Sequence, residues 1–176
     1  MIAIVRQAQV EDAERLALLR RETFRETFVD GGFAIPYPPA DLAEFERATY
    51  GQERVTEDLR DPEKMSWVAE ADGHLLGYAH VGPCKLPHPD VGPGDGELYQ
   101  LYVRKASQGM RLGGRLLTTA LDFLARHRPG PVWVGVWSGN ARAQMFYEAH
   151  GFIKVGEYDF PVGTWRDREF ICRRAG

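Results

Sequence analysis

Two short stretches concentrate the residues able to do chemistry. Gln108-Gly109-Met110-Arg111-Leu112-Gly113-Gly114 is a glycine-rich turn that follows the apolar run 98–103 and enters an amphipathic helix. A turn between strand and helix is an anion site. The first helical N–H groups lack partners inside the helix, the helix dipole is positive there, and glycines let a phosphate reach the main chain. It is neither a Walker A loop, since no Gly-Lys-Ser/Thr follows, nor the G-x-G-x-x-G of dinucleotide-binding folds. The second stretch, residues 140–152, carries Asn140, Ala143 and Tyr147, which share one helix face at i, i+3 and i+7. Small Ala143 leaves a shallow place between an amide and a phenol. A ligand arm fits there. So does a plainer arrangement in which Asn140 caps the helix and Tyr147 packs with its hydroxyl satisfied. Gly151 reads as a left-handed C-cap, and Phe146 and Phe152 as core.

Together these stretches resemble the GCN5-related N-acetyltransferase (GNAT) family. In that family's pattern Gln/Arg-x-x-Gly-x-Gly/Ala, Gln108 fills the first position and Gly113 the last, with Arg111 where the first glycine is usual. The pattern Asn-x-x-Ala-x-x-Phe-Tyr followed by Gly-Phe is matched in full by Asn140, Ala143, Phe146, Tyr147, Gly151 and Phe152. The segment 155–163 is similar to the branch of polyamine and other small-amine acetyltransferases. The resemblance covers most of the chain and implies an α/β fold in three layers. Its mixed, mostly antiparallel sheet would have a central parallel pair that splays to hold CoA, with helices on both faces. It also implies acetyl-CoA as cosubstrate between the strands at 98–103 and 132–137. The backbone of Leu101, Tyr102 and Val103 would pair with the pantetheine amides. Gln108, Gly109, Met110, Arg111, Leu112, Gly113 and Gly114 would meet the pyrophosphate, with Asn140 and Ala143 beside the ligand and the thioester at Tyr147. Arg111 then either turns its side chain aside or adds a direct charge contact.

The implied reaction is attack of an acceptor amine on the thioester. An alkylamine of pKa about 10.4 is neutral in only about one molecule in a few thousand at pH 7, so a base or water chain must take its proton. The leaving sulfur, comparable to a thiol of pKa about 8.5, departs more easily when a donor protonates it. Tyr147 fits the donor. Glu97, at the mouth of the strand facing the thioester, fits the base, acting through water, with Asp159 and Asp30 in reserve. His80 and His150 lack metal-spaced partners and read as structural; no metal is expected. Phe33, Tyr37 and Trp165 are candidates to line an acceptor pocket. The expected protein is an acetyl-CoA-dependent N-acetyltransferase acting on a primary amine. The alternatives are a catalytically degenerate CoA-binding sensor or partner module, favoured by Arg111, and a protein N-terminal or lysine acetyltransferase.

The elements that must position these residues follow from the rest of the chain. The 176 residues fit one domain, taken as 1–176, with a substantial core. A net charge of −3 without a basic stripe points away from nucleic acid and anionic membranes as partners, and leaves room for a homodimer. Cys84 and Cys172 do not make a disulfide framework or zinc site and read as free thiols of a cytoplasmic protein. No signal peptide or membrane-spanning run is evident. Ile2 and Ile4 suggest a first strand. Leu16, Leu19, Thr23 and Phe24 give a helical stripe. Residues 30–39 form an aromatic loop broken by glycine and proline. Asp41 is placed as an N-cap, and 53–59 as a short helix. Asp72-Gly73 between apolar runs predicts a hairpin. Leu112, Leu116, Ala120 and Leu124 mark the buried face of the helix after the glycine turn. Alternation over 132–137 marks a strand parallel to the one at 98–103, reached by a right-handed crossover. The last strands are expected at 152–156 and 168–172.

Overall fold

The computed structural model describes residues 2–176. β1 (Ile4–Gln7) runs antiparallel to β2 (Met65–Ala71), and β2 turns directly into β3 (His74–Pro83). Asp72 and Gly73, at φ of 49° and 78°, form the two-residue turn whose twist matches that of paired strands. β4 (Gly96–Val103) continues antiparallel. α4 (Leu112–His127) then crosses to β5 (Val132–Trp137), which lies parallel to β4. α5 (Ala141–Ala149) leads into the hairpin of β6 (Ile153–Val162) and β7 (Trp165–Arg174), and β7 inserts beside β5. The sheet order is β1-β2-β3-β4-β5-β7-β6, mostly antiparallel with one parallel pair.

Alternation along the strands builds the layers. Trp67, Ala69, Ala79 and Val81 face Leu112, Leu116, Leu117, Ala120 and Leu124 of α4. Val68, Leu75 and Tyr78 face Leu16, Leu19 and Val55, from α1 (Ala13–Phe28) and α3 (Gln52–Arg60) on the other side. A single 3-10 turn, Val10–Asp12, precedes α1, and the Asp12 carboxylate accepts the Gln9 amide at 2.8 Å. α2 (Pro39–Tyr50) packs an aromatic cluster against α1 and β6.

Three local expectations are corrected. Asp41 is not an N-cap: α2 starts at Pro39, where fixed φ suits the first turn, and Asp41 accepts the Thr164 hydroxyl at 2.5 Å instead. β6 and β7 are each ten residues long, about twice the expected span, because they pair from Ile153↔Arg173 to Val162↔Trp165, with one register shift between Lys154 and Gly156. Pro161 lies within β6, the sheet edge, where a missing N–H is tolerated. The α1 stripe also carries a charge: Arg20 is fully buried, bonded to Asp58 at 3.1 Å and to the Ser66 hydroxyl at 3.0 Å.

Candidate active site

The parallel pair opens partway along. β4 and β5 pair only at Gly96↔Val132, Glu97↔Trp133 and Leu98↔Val134. Beyond that point β4 keeps only β3 and β5 keeps only β7, so the backbone of Leu101, Tyr102 and Val103 borders a gap. A bulge accompanies the opening. The β3 register passes from His80↔Gln100 to Val81↔Leu98, which leaves Tyr99 as the extra residue. A bulge bends and over-twists its strand, and this one sits where β4 leaves β5.

The glycine turn lies at the end of β4. Gly109 has φ of 90° and Arg111, just before α4, has φ of 58°. Left-handed residues in such a turn bring successive N–H groups into a concave anion nest. None of the backbone amides of Gly109, Met110, Arg111, Leu112, Gly113 and Gly114 donates to a protein acceptor among the described residues. The first partnered amide is that of Arg115, bonded to the Arg111 carbonyl at 3.2 Å. A Cβ at Gly114 would meet nothing within 4 Å, and its φ does not demand glycine, so the fold's own packing does not explain that glycine. Arg111 is exposed and borders a hollow shared with Gly114, Arg115, Thr118, Thr119 and His150. Sequence reading overlooked Arg142. Its guanidinium donates to the Gln108 side-chain oxygen at 2.7 Å, tying α5 to the turn and adding a cation beside it. The signal was present, at the second residue of a helix expected to face the ligand. Leu112 itself is core, so only its amide faces the turn.

On α5, Asn140 is the cap: its Oδ1 accepts the Ala143 amide at 3.0 Å. Gly151 follows the helix at φ of 86°, and Phe152 is buried, as their spacing required. Tyr147 is buried against Phe146 and Phe152 on the α4 side of the sheet. Its hydroxyl has no partner among the described residues, and burial pushes its pKa up, so the phenol keeps its proton at neutral pH.

On the opposite face, the gap adjoins a cavity of about 230 Å³ between α1, α2 and the ends of β4, β5, β6 and β7. Tyr37 lines it. Phe33 instead packs at a tilt on Trp137, with centroids 4.6 Å apart, and Trp165 packs edge-on against Tyr37. Glu97 reaches the cavity, buried, with its carboxylate accepting the Lys85 amide at 2.7 Å; burial raises its pKa. Two further acids line the cavity that sequence reading did not select, Asp167 and Glu169. Asp167 is occupied, accepting from the Tyr37 hydroxyl at 2.5 Å and from the Trp165 indole at 2.8 Å. Glu169 accepts the Tyr158 hydroxyl at 2.8 Å, and burial, with Asp167 and Glu97 adding like charge, pushes its pKa up to about 7. Alternation on β7 could have put Asp167 and Glu169 on one face, but the strand was drawn too short to include Asp167.

The remaining candidates fall elsewhere. Asp30 and Asp159 are exposed and outside the cavity. His80 is buried with Ser66 at 2.9 Å, and His150 bonds the Phe146 carbonyl at 2.7 Å near the end of α5. Cys84 and Cys172 are both free. Among the described residues, no cluster of His, Cys, Asp and Glu is arranged to hold a metal ion, and no helix is long and apolar enough to cross a membrane.

Comparison with known proteins agrees with this geometry. The acetyltransferase (GNAT) family matches residues 21–152. An uncharacterized N-acetyltransferase of Mycobacterium bovis is 30% identical over 167 residues, spanning 93% of this chain and 97% of the relative. One of Lactobacillus delbrueckii subsp. lactis is 26% identical over 169 residues, covering 96% and 95%. The crystal structure of the PaiA N-acetyltransferase of Thermoplasma acidophilum, in complex with coenzyme A, shares the fold with a TM-score of 0.77 at 20% identity over the whole of both chains. A GCN5-related N-acetyltransferase of Kribbella flavida shares it with a TM-score of 0.70 at 22% identity, covering 99% of this chain and 98% of the other.

Proposed function

This chain belongs to the GNAT acetyltransferase family and is an acyltransferase; from that premise we propose that it moves an acetyl group from acetyl-CoA to a primary amine by direct attack on the thioester. The observation that carries this reading is the gap between β4 and β5, which runs from the unpartnered amides at 109–114 toward a cavity holding carboxylates. The family's cosubstrate has a pyrophosphate suited to the amide nest, with Arg111 and Arg142 supplying charge. Its extended pantetheine arm has amides suited to the free edge at Leu101, Tyr102 and Val103. Asn140 and Ala143 stand beside this path. Tyr147 and Glu97 lie on opposite faces of the sheet, so the gap is the one route by which both reach a single thioester.

The reaction releases two protons from the alkylammonium nitrogen. Glu97, through water, takes one and passes it to solvent, and the nitrogen lone pair then bonds the carbonyl carbon. As the C–S bond breaks, its electron pair goes to sulfur, which Tyr147 protonates; the second nitrogen proton restores the phenol. Amide and free thiol result. The chain acts within 1–176 as one acetyltransferase domain.

The test is to incubate the purified protein with acetyl-CoA and a panel of amines and to follow free thiol. Acceptor-dependent release is expected. Acetyl-CoA alone should raise the melting temperature, since a ligand bound only by the folded state stabilises it by about 2.7 kcal/mol at a hundredfold excess over Kd. No shift at millimolar acetyl-CoA would remove the reading.

A further inference from the structure

We propose that the acceptor of this enzyme is a compact amine with a single positive charge and an apolar or aromatic body, its ammonium seated between Glu97 and Glu169. The inference rests on the reading of the site as an amine acetyltransferase and narrows it.

The cavity has two chemically different parts. Glu97 from β4 and Glu169 from β7 line the same cavity as neighbouring acids, with Gly135 of β5 against the Glu169 carboxylate. A Cβ at Gly135 would stand 2.7 Å from the Glu169 carboxylate and 3.3 Å from the Tyr158 hydroxyl, so a side chain there would displace the acid. The acid therefore lies over the face of β5 at Gly135, one residue past the last pairing with β4. One Glu169 oxygen accepts the Tyr158 hydroxyl, and the other has no donor among the described residues. The third acid, Asp167, already has one donor on each oxygen, from Tyr37 and Trp165. The rest of the wall is mostly aromatic, with Phe24, Phe28, Phe45, Tyr50, Trp137 and Phe160, and also carries Thr49, Gln100 and Val162.

Two buried carboxylates do not both ionise without a cation, because each is desolvated and repels the other. Both are indeed held above their ordinary range by burial, and Glu97 adds to the rise at Glu169. The nearby cation is Lys85, at the cavity rim, which lies 4.2 Å over the Tyr99 ring. Cys84 beside Glu97, and Tyr37, Tyr99, Tyr102 and Tyr158, the other titratable groups facing the acids, are pushed upward by burial and stay neutral. A primary ammonium has three donors and one charge, which matches a seat of two acids sharing a proton. Aromatic faces favour an apolar body next to a cation. A second ammonium would have only that shared charge to pair with, and an added carboxylate would have to draw Lys85 away from Glu97 and the Tyr99 ring. A volume of about 230 Å³ suits a small body. Polyamines and free amino acids are disfavoured on the same ground.

The experiment compares 2-phenylethylamine, spermidine and phenylalanine as acceptors of the full chain, following free thiol, alongside calorimetric titration of 2-phenylethylamine into the CoA-saturated protein. The expected kcat/KM for 2-phenylethylamine exceeds that of the other two by a hundredfold or more. Glu169→Gln should raise its KM at least tenfold, weaken its calorimetric binding equally, and leave the melting shift produced by CoA intact. Glu97→Gln gives a second reading of the seat should the first variant fold poorly. Spermidine or phenylalanine serving as well as 2-phenylethylamine, or unchanged KM and binding in both variants, would overturn the proposal. If no amine releases thiol, the acetyl-transfer reading fails by itself. Calorimetry still decides the seat then: carboxylate-dependent binding of 2-phenylethylamine supports it, and no binding overturns it.

Discussion

Tyr147 and Arg111 are the side chains whose roles turn most on a single atom or torsion. Tyr147 has a protonated phenol and no internal partner for it, so its hydroxyl is available to a leaving group. Tyr147→Phe should lower turnover by about a hundredfold or more at unchanged acetyl-CoA affinity, since general-acid assistance is typically worth about 10²–10⁴ and acts only in the transition state. The ring's packing survives, so melting temperatures should agree within a few degrees. Single-turnover rates equal to wild type would make Tyr147 a packing residue. Arg111 combines two opposing effects. At φ of 58° a side chain is strained by about 1–2 kcal/mol, which glycine would relieve, whereas the guanidinium borders the phosphate turn. Arg111→Gly is therefore expected to melt a few degrees higher yet bind CoA more weakly, by about 1 kcal/mol. Tighter CoA binding in that variant would show that the arginine obstructs the site.

At the scale of elements, the start of α4 sacrifices local stability for an open main chain. Gly114 occupies the first turn of a helix although neither φ nor crowding asks for glycine. Gly114→Ala should stabilise the free protein by up to about 1 kcal/mol through helix propensity, and should weaken CoA at least tenfold because the added methyl enters the phosphate approach. Melting curves with and without CoA check both halves: a rise without ligand and a smaller increment with it. An undiminished CoA increment would mean that the phosphates lie elsewhere. The β4 bulge is the complementary element. It sits where β4 diverges from β5, the opening that borders the cavity.

For the whole molecule, the buried group of Arg20, Asp58, Ser66 and His80 ties α1, α3, β2 and β3 together away from the site. Burial and the Arg20 charge push the His80 pKa down to about 4. Burial raises the Asp58 carboxyl, but the contacts from His80, Lys64 and Arg20 outweigh it and hold it well below its ordinary range. The unfolded chain binds a proton at His80 near pH 6.5, and the folded protein binds it only near 4. Between those values the unfolded state holds more protons, so stability falls as pH drops through that window and does not change on this account above pH 7. The loss amounts to about 3 kcal/mol, and protonation of Asp58 adds to it at still lower pH. Thermal melts from pH 7.5 to 4.5 should show the decline, and His80→Gln should flatten it. The same acid slope in both proteins would place the sensitivity elsewhere.

Local chemistry was legible in the chain because it is written in contiguous residues. The hairpin follows from Asp72-Gly73, the α4 face from apolar residues every fourth position, the anion turn from glycines before a helix, and the Asn140 cap and Gly151 stop from side-chain and backbone preferences at helix ends. Each depends on torsions and hydrogen bonds within a few residues. What only the tertiary structure decided involves groups brought together from distant segments. Arg142 meets Gln108 across 34 positions. Glu97 and Glu169 come to one cavity because β7, the last strand, inserts next to β5 rather than at the sheet edge. Arg20, on a stripe that looked apolar, is tolerated in the core because Asp58 and Ser66 arrive from elsewhere to meet its charge. A carboxylate's proton affinity depends on burial and on neighbouring charge, and both are set by packing. The sequence by itself therefore determined the turn, the helix faces and the acetyl-transfer chemistry they resemble, while the acid pair came only with the strand order that closed the cavity.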